Sequence, residues 1–279
     1  MDRNYLDAGK PMRWICGIAL ILSIGLPLMG PNGTAEAIPD GGYAHPAILI
    51  QPEELKGLIE KKDPQIRIID MRKREKYLAG HTPGAVQVWR PDVEDKNNPL
   101  PGMMARREQI EELMGTLGIG NNNILVIYSD RYDHARLWWI LAYYGFPIKQ
   151  MRLLDGGFNA WKARGYSLEM SPPRLGRTRF TLLGKEKLGP LLCTLPEVKS
   201  ALKNPDRVVL DCRSEGEYLG EIKKKAAAKG GRIAGVTWIE WKEAVVADGP
   251  YKGYWKSAEE IKKIYLAKGI TPEKEIYIY

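Results

Sequence analysis

Ile66-Arg67-Ile68-Ile69-Asp70 is a short, mainly apolar run ending in an acid, and Arg207-Val208-Val209-Leu210-Asp211 repeats it 141 positions later. Apolar residues on consecutive positions mark a strand buried on both faces, as in a parallel sheet. Before the first run, Leu55, Leu58 and Ile59 show helical spacing between Glu53 and Lys62. After it come Arg74-Glu75-Lys76-Tyr77-Leu78 and the turn Gly80-His81-Thr82-Pro83-Gly84-Ala85. A helix carrying Ile110, Leu113, Met114 and Leu117 leads to a second strand, Ile124-Leu125-Val126-Ile127-Tyr128. Another helix carries Leu137, Trp138, Ile140 and Leu141, and a last strand, Met151-Arg152-Leu153-Leu154, closes at Asp155-Gly156-Gly157. This alternation predicts an α/β fold whose parallel sheet is covered by helices.

The order then restarts. Leu195 to Leu202 is helical in spacing, Arg213 follows Asp211 as Arg72 follows Asp70, and Tyr218-Leu219 repeats Tyr77-Leu78. Gly231-Arg232-Ile233-Ala234-Gly235-Val236 answers the turn that begins at Gly80. Ile261, Ile264, Tyr265 and Leu266 mark a helix ending at Lys268-Gly269, a basic residue and a C-terminal glycine. Glu275-Ile276-Tyr277-Ile278-Tyr279 matches the strand before Ser129. The chain is a duplication: residues 47–170 form one domain, 171–190 (rich in Pro, Gly and Arg) a linker, and 191–279 a second domain.

These motifs resemble the rhodanese family, specifically its two-domain sulfurtransferases acting on thiosulfate or 3-mercaptopyruvate. The resemblance rests on Asp70-Met71-Arg72 and Asp211-Cys212-Arg213, the Gly80 turn, Ala135-Arg136-Leu137-Trp138-Trp139, and Leu154-Asp155-Gly156-Gly157-Phe158-Asn159-Ala160-Trp161. It implies an inert first domain and a second domain whose loop after its fourth strand carries a cysteine. That residue takes sulfane sulfur from an anionic donor as a persulfide and passes it to cyanide or a thiol. Convergent backbone N–H groups around it stabilise a thiolate, which supplies the nucleophile. In the first domain the equivalent loop, Ser129-Asp130-Arg131-Tyr132-Asp133-His134, has no cysteine and carries two carboxylates. In the second domain the loop begins at position 280, so no catalytic residue is expected among residues 1–279 and the second domain is expected to be incomplete. A selenocysteine codon, a trimmed fragment, a frameshift and a pseudogene each account for such an end. A non-catalytic module holding an anion or a protein is the alternative reading.

Of the remaining residues, Arg213 is the first functional candidate: the resemblance gives it the catalytic loop to hold, while an ion pair with Asp211 or Glu217 is the plainer role. Asp211 supports the same strand end. Arg232 stands where the first turn has His81, and a turn residue bonding to backbone explains both. Lys223, Lys224, Lys225 and Lys229 read as a solvated loop that could also steer anions. The resemblance places Trp255 and Lys256 at a pocket mouth. Cys212 lies at a strand end rather than in a loop of N–H groups, as inert buried thiols do. No zinc-ligand spacing or nucleotide-binding glycine pattern occurs, so neither metal nor cofactor is expected.

The chain has 279 residues and a net charge of +8, which favours anionic partners. No basic run is interleaved with aromatics, which argues against a nucleic-acid groove. Lys10 and Arg13 precede the apolar run Trp14 to Met29, and Ala35-Glu36-Ala37 offers small residues to a peptidase. This is the layout of a secretory leader over residues 1–37, so export to a periplasmic or extracellular space is expected, without stable membrane insertion after cleavage. An uncleaved membrane anchor is the alternative.

Overall fold

The computed structural model describes residues 13–14, 41–183, 192–225 and 227–279. They divide into two compact units, one of Ala47–Lys187 with Ala247–Trp255, the other of Leu188–Val246 and Lys256–Tyr279 with the segment up to Pro46. The expected leader lies outside the described residues except for the two-residue strand β1 (Arg13–Trp14), which belongs to the second sheet. Among the described residues no helix is long and apolar enough to cross a membrane.

The first sheet holds β2 (Leu49–Ile50), β3 (Ile66–Asp70), β4 (Ala85–Gln87), β5 (Ile124–Tyr128) and β6 (Met151–Leu154), in the order β2-β6-β5-β3-β4 and all parallel. Its helices are α1 (Pro52–Glu60), α2 (Arg74–Leu78), α3 (Arg107–Thr116), α4 (Asp133–Tyr143) and α5 (Gly157–Ala163). Central β3 and β5 are apolar on successive residues because helices cover both their faces. Ile50, Leu55, Ile68, Val126, Leu154, Phe158 and Trp161 share one buried cluster. The glycines after β6 are needed for close approach. At Gly157, with φ at +57°, a Cβ would lie 2.3 Å from the Ser129 carbonyl oxygen.

The stretch read as a linker is in part a strap on this unit. Thr178 donates its N–H to the Gly115 carbonyl (2.9 Å), Leu182 donates to Glu111 (2.7 Å), and Phe180 stacks on Phe146.

The second sheet repeats the first on a smaller scale: β7 (Arg207–Asp211), β8 (Thr237–Trp238) and β9 (Glu275–Ile278) run parallel in the order β1-β9-β7-β8. Its helices are α6 (Leu195–Ala201), α7 (Glu215–Leu219) and α8 (Ala258–Ala267). Capping boxes start two of them, Thr194 with Glu197 and Ser257 with Glu260. Val209 pairs with Tyr277 as Ile68 pairs with Val126, so both copies hold the same pair of central strands.

Candidate functional site at the carboxyl ends of the sheets

Each central strand ends in a carboxylate that organises the chain beyond it. In the first copy Asp70 accepts from the Arg72 backbone N–H (2.9 Å) and from its guanidinium Nε and Nη2 (3.0 and 2.6 Å), and Arg72 Nη2 also donates to the Gly80 carbonyl (2.8 Å). Tyr128 closes the frame: its hydroxyl donates to Asp70 (2.8 Å) and accepts from the Thr82 N–H (3.1 Å). Burial, then the neighbouring Asp70 charge, pushes the Tyr128 phenol well above its ordinary pKa.

The second copy repeats the arginine–carboxylate core of this frame. Asp211 accepts from the Arg213 N–H (3.0 Å), Nε (3.0 Å) and Nη2 (2.7 Å), and Nη2 donates to the Gly231 carbonyl (2.9 Å). The Tyr279 hydroxyl accepts from the Ile233 N–H (3.3 Å), and the Cys212 N–H bonds to the Tyr279 carbonyl as that of Met71 bonds to Tyr128. Trp238 donates Nε1 to the Arg213 carbonyl where Gln87 donates Nε2 to that of Arg72. Arg232 lies over the Tyr218 ring, 4.4 Å from its centroid, and reaches the Tyr218 carbonyl, as His81 stacks on Tyr77 and bonds its carbonyl. One difference is exposure. The Arg72 side chain is 4% exposed and packs on Phe158, while that of Arg213 is 31% exposed.

Residues 51–164 match the rhodanese-like domain family. Over 249 residues the chain is 30% identical to the sulfur carrier protein TtuD of Thermus thermophilus, covering 85% of this chain and 84% of the relative. The chain belongs to the rhodanese family. It is also 30% identical over 238 residues to the thiosulfate sulfurtransferase of Azotobacter vinelandii, covering 84% of this chain and 82% of that one. The crystal structure of the Escherichia coli 3-mercaptopyruvate sulfurtransferase SseA aligns with a TM-score of 0.72 at 25% identity, covering 83% of this chain and 87% of that one.

The rhodanese frame orders the sequence candidates. Arg213 and Asp211 meet as expected, with Asp211 rather than Glu217 as the carboxylate. Glu217 instead accepts from the Ser214 hydroxyl (2.8 Å). Arg232 takes the turn role. Trp255 is in the first unit, where its N–H donates to Asp155 (3.0 Å) and its ring meets Tyr132 edge-on, whereas Lys256 is in the second, with its N–H on the Ala244 carbonyl.

Neither Cys193 nor Cys212 is in a disulfide. Burial, then Asp211, pushes the Cys212 thiol up to about 12, so it is no nucleophile near neutrality. In the first rhodanese loop, Asp130 pairs with Lys76 and Asp133 with Arg90 (3.3 Å), and burial pushes His134 down to about 4. Tyr128, Tyr279 and Trp238 carry the frame without having been singled out as site residues. The signal was present in a second spacing: Tyr128 and Tyr279, like Gln87 and Trp238, are 151 apart, ten more than the strand-end acids.

Proposed function

We propose that this protein is a sulfurtransferase moving sulfane sulfur from thiosulfate or 3-mercaptopyruvate to a thiol or cyanide, using a cysteine or selenocysteine at position 280. The reading is carried by the duplicated frame: with Tyr279 matching Tyr128, the next chain position matches Ser129, at the start of the loop the family uses for its nucleophile. Neither visible cysteine of the second unit competes, Cys212 being buried and Cys193 lying beside the Val198 cluster near α6.

In this reaction the chalcogen anion attacks the outer sulfur of thiosulfate, the S–S bond breaks, and sulfite leaves with the bonding pair. The acceptor anion then attacks the bound sulfur and regenerates the nucleophile. Arg213 is a positioning residue: its Nε and Nη2 hold Asp211 and the Gly231 carbonyl, and through them the strand end before position 280.

The test has two steps. The codon after Tyr279 is read, and protein extended through it is assayed for thiocyanate formed from thiosulfate and cyanide. A Cys or UGA codon with activity lost on substitution to Ser supports the reading. Any other codon, or thiosulfate binding without thiocyanate, overturns it in favour of a non-catalytic anion-binding module.

A further inference from the structure

The second copy contains ten residues that the first lacks. Ala79 and Gly80 are adjacent, whereas their counterparts Gly220 and Gly231 are separated by Glu221–Gly230. The insertion carries Lys223, Lys224, Lys225 and Lys229 against one carboxylate, Glu221, a net +3. All four lysines are exposed. Lys224 lies 3.8 Å from Glu217, and Lys223 donates to the Ala227 carbonyl (3.1 Å). Arg232, also exposed, adds a fifth cation at the root.

The loop has a closed base. A Cβ on Gly220 would lie 3.0 Å from the Gly231 nitrogen, and one on Gly230 would lie 3.0 Å from the Gly220 carbonyl oxygen. Gly231 is the residue whose carbonyl Arg213 holds, so the loop is rooted one hydrogen bond from the strand-end frame. Beside the base, Leu219 and Ile222 are each 51% exposed and Ile233 is 37% exposed. Cations around an exposed apolar base make a protein-binding surface, with apolar area for contact and charge for steering. A small anion has no use for the apolar residues, and the aromatic beside the base, Tyr218, is already taken by the Arg232 guanidinium and the Trp238 ring rather than offered to nucleic acid bases.

We propose that this lysine loop, with Leu219, Ile222 and Ile233, docks an acidic protein that is the sulfur acceptor. The proposal deepens the sulfur-transfer reading and rests on it for the chemistry but not for the docking. A cysteine thiolate on the docked protein attacks the outer sulfur of the site persulfide. That S–S bond breaks, a persulfide forms on the acceptor, and the site anion is regenerated.

The full chain is titrated, by fluorescence anisotropy, against labelled reduced thioredoxin (an acidic protein with an exposed thiol), a single-stranded oligonucleotide and thiosulfate. The Lys223→Gln/Lys224→Gln/Lys225→Gln/Lys229→Gln variant is expected to bind thioredoxin at least ~10-fold more weakly, and wild-type binding to weaken comparably as salt is raised. Equal binding by the variant, salt-independent wild-type binding, tighter binding of the oligonucleotide than of thioredoxin, or an effect confined to thiosulfate overturns the proposal. Transfer to dithiothreitol, assayed in parallel on the extended protein, reports on the chemistry alone. Its loss with lysine-dependent docking intact sinks the sulfur-transfer reading and leaves the docking surface standing.

Discussion

Arg72 and Arg213 share four bonds in different surroundings, so they are a matched pair for measuring what the frame contributes. Arg72→Ala strands the buried Asp70 carboxylate and is expected to cost about 3–5 kcal/mol in urea unfolding. Arg213→Ala is expected to cost about 1–2 kcal/mol, because solvent reaches the 31% exposed guanidinium site and can replace it. Equal losses would show that burial does not set the difference. Cys212 gives a test by pH. Its folded pKa, about 12, lies above the ordinary 9.0, so the unfolded chain releases the proton first as pH rises. The stability this group contributes is therefore complete below about pH 9 and lost on the way to 12. Cys212→Ala is expected to flatten the alkaline decline by up to about 1.4 kcal/mol per pH unit. It is also expected to leave iodoacetamide labelling of the native protein at pH 7.5 unchanged, because the buried thiol does not react there.

At the scale of elements, α4 and α5 carry the consequences of burial. His134, in the first turn of α4, is held down to about 4 by burial, below its ordinary 6.5. The unfolded chain thus takes up the proton first as pH falls, and about 3 kcal/mol of stability is lost between pH 6.5 and 4. His134→Asn is expected to remove that slope from acid unfolding curves. The start of α5 is set by contact: Gly157→Ala puts a methyl 2.3 Å from the Ser129 carbonyl and is expected to cost about 3 kcal/mol. Gly165→Ala, also at positive φ but with open space around it, is expected to cost about 1 kcal/mol. Thermal melts of the two variants decide between crowding and backbone strain. The elements themselves were legible because β3, β5, β7 and β9 are apolar on consecutive residues and the helices show their stripes. Gln87 and Trp238 were not, because what matters is a side-chain N–H reaching a carbonyl across a crossover, and no local periodicity encodes that. The strap at Thr178–Leu182 was hidden for a similar reason: its composition is that of a linker, and only Phe180 and Leu182 betray the packing.

For the whole molecule, unit boundaries do not follow chain order. Ala247–Trp255, read in sequence as part of the second domain, packs with the first: Trp255 donates to Asp155, Tyr254 meets the Arg164 guanidinium, and Tyr132 approaches the Gly253 carbonyl. A fragment covering residues 41–187 lacks these partners and leaves Asp155 with one donor fewer. It is expected to unfold at lower urea than the same unit in the full chain, with amides near Asp155 and Gly156 losing protection from hydrogen exchange. An unchanged midpoint would mean that Ala247–Trp255 adds nothing to the unit. A different economy operates at the Gly220–Gly231 base. Because the two ends of the insertion meet there, the sheet sees the same short crossover whether ten residues stand between them or none. Loop closure also grows only slowly in cost with length. The base is therefore a socket: its contents can be shortened, lengthened or exchanged for another recognition sequence without shifting the register of β7, β8 and β9. On the docking proposal, partner choice in this chain can diverge while the strand-end frame stays fixed.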